Sequence, residues 1–431
     1  MAFVGGVPVV QASLAEPQDQ TVNPMNMIRF LRAVGLGSLL ATGLLAGCAK
    51  APPDDPRRPV LNTYADIVLA TYEDTLAAAK ALDASVDALL ASPSDETLAD
   101  AREKWRAARI PYDQSEAFRF YGGPIDREGG PEGQLNGWPL DENHIDAVGP
   151  AYNAAPGLNI VGNPKAFPSI TPQLISEQNE AGGEKNIASG YHAIEFLLWG
   201  QDLNLTPDAS GQRPFTDFVV KGDPATDIAA RRGQYLKAAT TLLISDLQSL
   251  VTAWSVVEDP AMPSYRRDFV TGDVYTGLKR MLTGMVGLSE VEMAGERMAV
   301  PLLSGDQEEE QSCFSDFTSS DLQANVAGIA SVYLGRYQRL DGSVVSGPSL
   351  ADFVAKTDAM VAEEMKARLE STTTQIAAIR SPFDREIRQD NAEGHARVQA
   401  GADALRSLAL SLGRAATALG IFMSPIQGSG D

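Results

Sequence analysis

Between Thr63 and Ala91 the chain has neither proline nor glycine and is rich in alanine and leucine, so helix is the regular structure it suits. Further runs of the same kind follow. Ser94 can cap a second helix passing through Trp105 towards Phe120. Asp223-Pro224 reads as a cap and first-turn pair for a proline-free run to Glu258, in which Ile228, Tyr235, Leu242, Leu250 and Trp254 fall near helical spacing. That run is about 34 residues, or roughly 50 Å of helix. Asp259-Pro260 stops it, and another helix is expected from Asp273 to Val300. Ser320 with Gln323 predicts a capping box, followed by Leu322, Val326, Ile329 and Tyr333 on one face. Ser349 opens a helix to about Arg380, and Ser381-Pro382 opens the last one, with a break expected near Gly394 or Gly401. No stretch shows sustained β alternation. The expected fold class is all-α, with two up-and-down helical bundles over residues 60–258 and 259–425.

One segment departs from this pattern. Tyr121–Gly183 carries 11 glycines and 8 prolines in 63 residues, far more than an ordinary connection. Trp138, Tyr152 and Phe167 within it argue for an ordered, packed loop. A weak internal echo lays Ile187–Glu195 over Met281–Ser289, each an apolar stretch with a glycine at the same place; duplication and chance explain it equally well.

The N-terminus reads as an address. A short basic stretch, Met25–Arg32, precedes an apolar run from Ala33 to Leu45 that is too short to span a bilayer comfortably. Leu45-Ala46-Gly47-Cys48 then resembles a bacterial lipobox, in which the chain is cut before the cysteine and the thiol carries a diacylglycerol. Residues 1–47 are thus expected to be leader and signal peptide, with Met25 or Met27 as the translation start. Cys48 is the expected lipid anchor, and 48–59 a proline-rich tether. Ala49 follows the cysteine where an aspartate would retain the protein at the inner membrane, so the expected location is the outer membrane, facing the periplasm.

The formal charge is −21. The removed leader carries Arg29 and Arg32 against Glu16 and Asp19, so processing leaves that value unchanged. Such a surface argues against nucleic acid as a partner and suits the attraction of cations. Cys48 and Cys313 cannot make a disulfide framework. With His144, His192 and His395 as the only histidines, a bound metal must draw most of its ligands from carboxylates.

His192 and Glu195 carry the clearest chemistry. Ile187, Tyr191, Ile194 and Leu198 mark a helical face, and His192 and Glu195 lie one turn apart beside it. An imidazole and a carboxylate at that spacing can hold one metal ion; they can equally form a buried hydrogen bond that only fixes helix packing. Gly190 costs roughly 1 kcal/mol against alanine inside a helix, but lets another backbone or a ligand approach closely.

Gly190-x-His192-x-x-Glu195 matches the GxHxxE motif of the imelysin family, which includes the insulin-cleaving metalloproteinase and iron-regulated protein A. Three further stretches resemble the family: Trp105 to Asp126, containing Arg109, Tyr112 and Glu116; Leu135-Asn136-Gly137-Trp138-Pro139-Leu140-Asp141-Glu142; and Glu310-Gln311-Ser312-Cys313-Phe314-Ser315-Asp316. The likeness covers roughly residues 60–425 and implies two helical bundles with the site between them. It implies a metal set of His192, Glu195, Glu116 and Asp126, with Arg109, Trp138, Asp141, Ser312 and Asp316 around it. Salt bridging remains open for Arg109 and Glu116, and turn chemistry for Asp126, Asn136 and Asp141. Family members often continue the third stretch with Asn-Thr-His; here Phe317-Thr318-Ser319 follows, so a ligand role in that region must fall on Asp316 or on no residue.

The function implied is a cell-envelope lipoprotein binding metal, with iron expected and zinc an alternative, in iron uptake or metal handling. Its partners would be a metal ion or metal complex, the membrane, and iron-transport components. A metallopeptidase is the second reading. An inverted zinc-peptidase signature would need histidine at Phe196, so the chain offers one imidazole where such enzymes offer two. A metal-free cleft for a peptide or glycan is the third.

Overall fold

The computed structural model describes residues 54–148, 159–203 and 210–423. Cys48, the leader, the first half of the tether and Tyr152 lie outside the described residues. From Asp54 onward the chain forms one compact unit. Its helices are α1 (Arg58–Ala91), α2 (Asp95–Ser115), α3 (Glu132–Asn136), α4 (Glu142–Ile145), α5 (Pro172–Gln178), α6 (Gly190–Trp199), α7 (Ile228–Trp254), α8 (Tyr265–Thr271) and α9 (Val274–Val286). There follow α10 (Val300–Ser304), α11 (Thr318–Leu334), α12 (Leu350–Thr357), α13 (Ala359–Ala377), α14 (Phe383–Ile387) and α15 (Ala392–Ala418). The all-α expectation holds. The exception among the described residues is a small hairpin, β1 (Arg336–Gln338) with β2 (Val344–Ser346), paired antiparallel. Strands of three residues are too short to show alternation in sequence.

α1 packs along α2 and α7, α2 continues onto α6 and α11, and α13 and α15 form a second layer against α11 and α9. One contiguous apolar core runs through all of them, from Leu61 and Trp105 to Tyr191, Leu322 and Leu405. The expected division at 258/259 falls in the connection between α7 and α8. No helix among the described residues is long and apolar enough to cross a membrane.

Local chemistry explains where the helices begin. Ser94 caps α2 as expected, in a reciprocal capping box with Thr97, and Ser349 does the same for α12 with Asp352. Two expectations are displaced. α7 begins after Asp227, whose carboxylate takes the N–H groups of Ala230, Lys221 and Gly222, and Asp223-Pro224 lies in the preceding turn. α11 begins at Thr318, ahead of the expected Ser320–Gln323 box. There the Thr318 hydroxyl accepts from the Ser312 N–H, which ties the helix start to the preceding turn. The helix expected from Ser349 to Arg380 breaks at Asp358, which ends α12 and caps α13. That expected over Asp273–Val300 changes its hydrogen bonding midway, with Gly287–Ala299 wound as a π-helix. α15 runs unbroken through Gly394 and Gly401.

The glycine- and proline-rich segment is ordered over its described parts. Ile125, Leu135, Ile145, Ile160, Val161, Ile170 and Ile175 are buried in the core. Arg231 of α7 holds this loop by donating to the carbonyls of Val161, Ile160 and Phe167. Burying apolar anchors of that number offsets the entropy of ordering a long connection.

Candidate functional site

α6 enters the core through a close backbone approach. Gly190 opens the helix at φ 80°, and a Cβ there would lie 2.4 Å from the Leu135 carbonyl oxygen of α3. Gly284, its counterpart in the internal echo, lies inside α9 without a positive φ, yet a Cβ there would lie 2.3 Å from the Ala117 carbonyl oxygen, so the two glycines share a close backbone approach and differ in conformation. Tight seating of α6 on α3 buries every residue of α6. Trp105 Nε1 donates to the Tyr191 carbonyl, and Tyr235 donates its hydroxyl to the Ala188 carbonyl, fixing the helix from both sides.

His192 and Glu195 meet as the spacing predicts. His192 Nδ1 lies 2.9 Å from Glu195 Oε2, with both side chains buried. The other oxygen, Glu195 Oε1, accepts from the Ser315 N–H at 2.9 Å and the Ser315 hydroxyl at 2.7 Å. The Ser312–Asp316 turn thus clamps the carboxylate, and the carboxylate fixes the ring. His192 Nε2 is buried and has no hydrogen-bond partner among the described residues. Burial, with the guanidiniums of Arg109 and Arg297, holds the His192 pKa well below its ordinary 6.5. Burial raises Glu195 to about 8, although the Ser315 hydrogen bonds act against the shift.

These opposite shifts predict a pH dependence. Just below 6.5 the folded pair keeps one titrating proton, on Glu195, while the unfolded pair keeps one, on His192, so the pair gives no slope there. From 6.5 to about 8 the unfolded chain has lost its proton and the folded one still holds it, so stability falls by about 2 kcal/mol as pH rises. Denaturant unfolding of chelator-treated protein at pH 6 and pH 9 is expected to show this loss in the wild type relative to Glu195→Gln; equal slopes would contradict it.

Glu116 belongs to a buried arginine network. Arg297 pairs with its Oε2, and Arg119 and Asn136 Nδ2 each lie 3.1 Å from its Oε1. These cations hold its pKa below the usual value despite burial. Arg109 donates to Asn136 Oδ1 at 2.6 Å and pairs with Asp113 at 2.8 Å and Asp321 at 3.4 Å. The salt-bridge reading left open for Arg109 and Glu116 is the arrangement found. Asp126 accepts from the N–H groups of Tyr121 and Gly123, and exposed Asp141 caps α4 through the Asn143 N–H; both make turn contacts. Trp138 is half-buried and precedes a cis proline. Ser312 donates its hydroxyl to Asp321. His144 and His395 face the Gln178 and Ile387 carbonyls. Burial pushes the Cys313 thiol pKa well above its usual value.

Asp316 stands apart from the other expected residues. It takes φ 56°, a left-handed conformation that aspartate tolerates, at the end of the turn that clamps Glu195. It lies with Glu310 and Asp384, one oxygen of each within 4.8 Å of the others. Glu310 lies in a stretch whose resemblance was visible in sequence, and its buried acid was the available signal. Asp384 carried none, because only folding brings α14 to this turn. Ser315, Arg119 and Arg297 were likewise not singled out.

Comparison with known proteins follows this geometry. The model of the imelysin family matches residues 68–412. Iron-regulated protein A of Synechococcus elongatus is 25% identical over 359 residues, 82% of this chain and 84% of that protein. A crystal structure described as an iron-regulated protein A precursor from Parabacteroides distasonis superposes with a TM-score of 0.65 at 24% identity, over 86% of this chain and 97% of that one. An imelysin-like protein from Psychrobacter arcticum has a TM-score of 0.60 at 15% identity, with the same coverage.

Proposed function

The chain belongs to the imelysin family, and from that premise we propose that it is a cell-envelope lipoprotein that binds a metal ion, iron in the first instance, in iron uptake or metal handling. The observation that carries this reading is His192. A ligating histidine commonly donates its second ring N–H to a carboxylate that is itself held in place, and Glu195 clamped by Ser315 supplies that brace. Metal at Nε2 requires the pair's single proton, which rests on Glu195 in the metal-free protein, to pass to Nδ1, with Glu195 accepting it; Nε2 is then the nitrogen offered to the ion. Imidazole suits iron as well as zinc. Among the described residues no pair of further ligand atoms joins Nε2 in one close group. The ion's remaining positions therefore go to water or to the chelating anion that delivers it. The bound metal would supply Lewis acidity or redox capacity at that nitrogen; the chain's own part is to hold the ring, set its tautomer and keep bulk water away.

The iron-regulated relative supports the choice of iron. Peptidase chemistry has no specific observation in its favour: Phe196, where a second imidazole would stand, packs against Phe314 with ring centroids 5.3 Å apart. Metal analysis of anaerobically loaded protein is the test. Wild type is expected to hold an Fe2+ equivalent that His192→Ala loses, and Glu195→Gln is expected to weaken binding by about 10–100-fold. Unchanged stoichiometry in His192→Ala would remove the imidazole from the ligand set.

The membrane part of the proposal rests on Leu45-Ala46-Gly47-Cys48. Cys48→Ser is expected to move the protein from the outer-membrane fraction to the soluble periplasm and to abolish palmitate labelling. Retention in the membrane without label would end the anchor assignment.

A further inference from the structure

We propose that Glu310, Asp316 and Asp384 form a seat for a hard, oxygen-liganded cation, distinct from the His192 nitrogen. Three separate segments deliver the three carboxylates: the residue after a short turn at Gln307–Glu309, the end of the Ser312–Asp316 turn, and the first turn of α14. One oxygen from each lies within 4.8 Å of the other two, so the three fit inside a circle of radius about 2.8 Å at most. An ion near the centre of that circle sits close to the 2.3–2.6 Å typical of calcium–carboxylate contacts, with small side-chain adjustment.

Glu310 supplies the independent observation. It is 2% exposed, and neither of its carboxylate oxygens closes a hydrogen bond of ordinary geometry with any described residue. A buried carboxylate facing two others is a self-repelling arrangement unless something positive or a proton joins it. Burial, then the charges of Asp316 and Asp384, push its pKa well above the usual range, and the nearby Thr318 hydroxyl offsets only part of this. The Arg106 guanidinium interacts electrostatically with Asp316 and Glu195.

The donor set selects the class of ion. Three carboxylates with no nitrogen or sulfur favour calcium, magnesium, manganese or ferric iron over zinc or copper. Three protein ligands leave several positions for water in a six-coordinate ion. Beside the cluster a cavity of about 640 Å³, lined by Asp306, Glu308, Asp384 and Arg388, gives such an ion a route to solvent. The seat does not depend on His192 being a ligand. It does touch that site mechanically, because Asp316 directly follows the Ser315 that clamps Glu195.

Mn2+ tests the proposal, by electron paramagnetic resonance titration and thermal unfolding of metal-stripped full chain. Wild type is expected to bind one Mn2+ and to gain thermal stability in millimolar Mn2+. Glu310→Gln and the half-buried Asp316→Asn are expected to weaken Mn2+ by about tenfold or more, while His192→Ala leaves it unchanged. Glu310→Gln is also expected to raise the melting temperature of the metal-free protein, because it removes the repulsion, and to abolish the Mn2+ gain. Two results would overturn the seat: wild type indifferent to Mn2+ while Glu310→Gln lowers metal-free stability, which would mean a proton-sharing packing cluster; or Mn2+ binding lost equally in His192→Ala, which would merge the two sites.

Discussion

Arg297→Met is expected to destabilise the protein by about 3–5 kcal/mol, the usual consequence of stripping a buried charge of its partner. Arg297 is fully buried and serves three groups at once. Its Nη2 pairs with Glu116, Nε and Nη2 donate to Glu292 Oε1 at 3.1 and 2.9 Å, and Nη1 donates to Asn325 Oδ1 at 2.9 Å. Asn325 in turn donates to the Asp113 carbonyl, joining the π-helical segment and α11 to α2. Removing the guanidinium leaves two carboxylates in the interior with reduced compensation. Urea unfolding at neutral pH measures the effect. Adding Glu116→Gln to Arg297→Met should restore part of the loss, because the stranded charge is then gone. A double variant no better than the single one would show that the cost lies in lost packing and not in charge.

Gly190→Ala is expected to cost about as much, by a different route. At φ 80° a side chain pays about 1–2 kcal/mol for the left-handed backbone alone. The added Cβ would also lie 2.4 Å from the Leu135 oxygen and 2.6 Å from the Gln134 oxygen, both backbone atoms that cannot swing aside. α6 must therefore retreat from α3, carrying His192 and Glu195 with it. Loss of about 3–5 kcal/mol together with weakened metal binding is the expected result. Gly413→Ala is the control: within α15 a Cβ there meets nothing within 4 Å, and a change of about 1 kcal/mol or less, in the stabilising direction, is expected. Gly190→Ala as stable as wild type would mean that the close approach of α3 is not a constraint.

His192, Glu195 and Asp316 stand out in the sequence as candidate residues, and the first two meet as a helix turn dictates. Their chemistry divided differently. One turn of spacing placed both as candidate metal ligands, yet it could not reveal that Ser315 occupies one Glu195 oxygen while the imidazole takes the other. Glu116 shows the same limit. The family resemblance implied a ligand role for it while a salt bridge stayed open, and its strongest partner, Arg297, arrives from far along the chain. Helix starts show how local partners act: Ser94 and Ser349 cap where they stand, and α11 begins at Thr318, whose hydroxyl accepts from the Ser312 N–H of the preceding turn.

What the sequence determined by itself is what nearest neighbours along the chain decide: proline-free apolar runs become helices, and a GxHxxE turn puts an imidazole beside a carboxylate. Tertiary structure alone decided which charges neutralise one another and which carboxylates share a space. Glu310, Asp316 and Asp384 come together from segments that have no periodic relation, and the pairing of buried charges depends on separations of a few ångströms that only the closed fold sets.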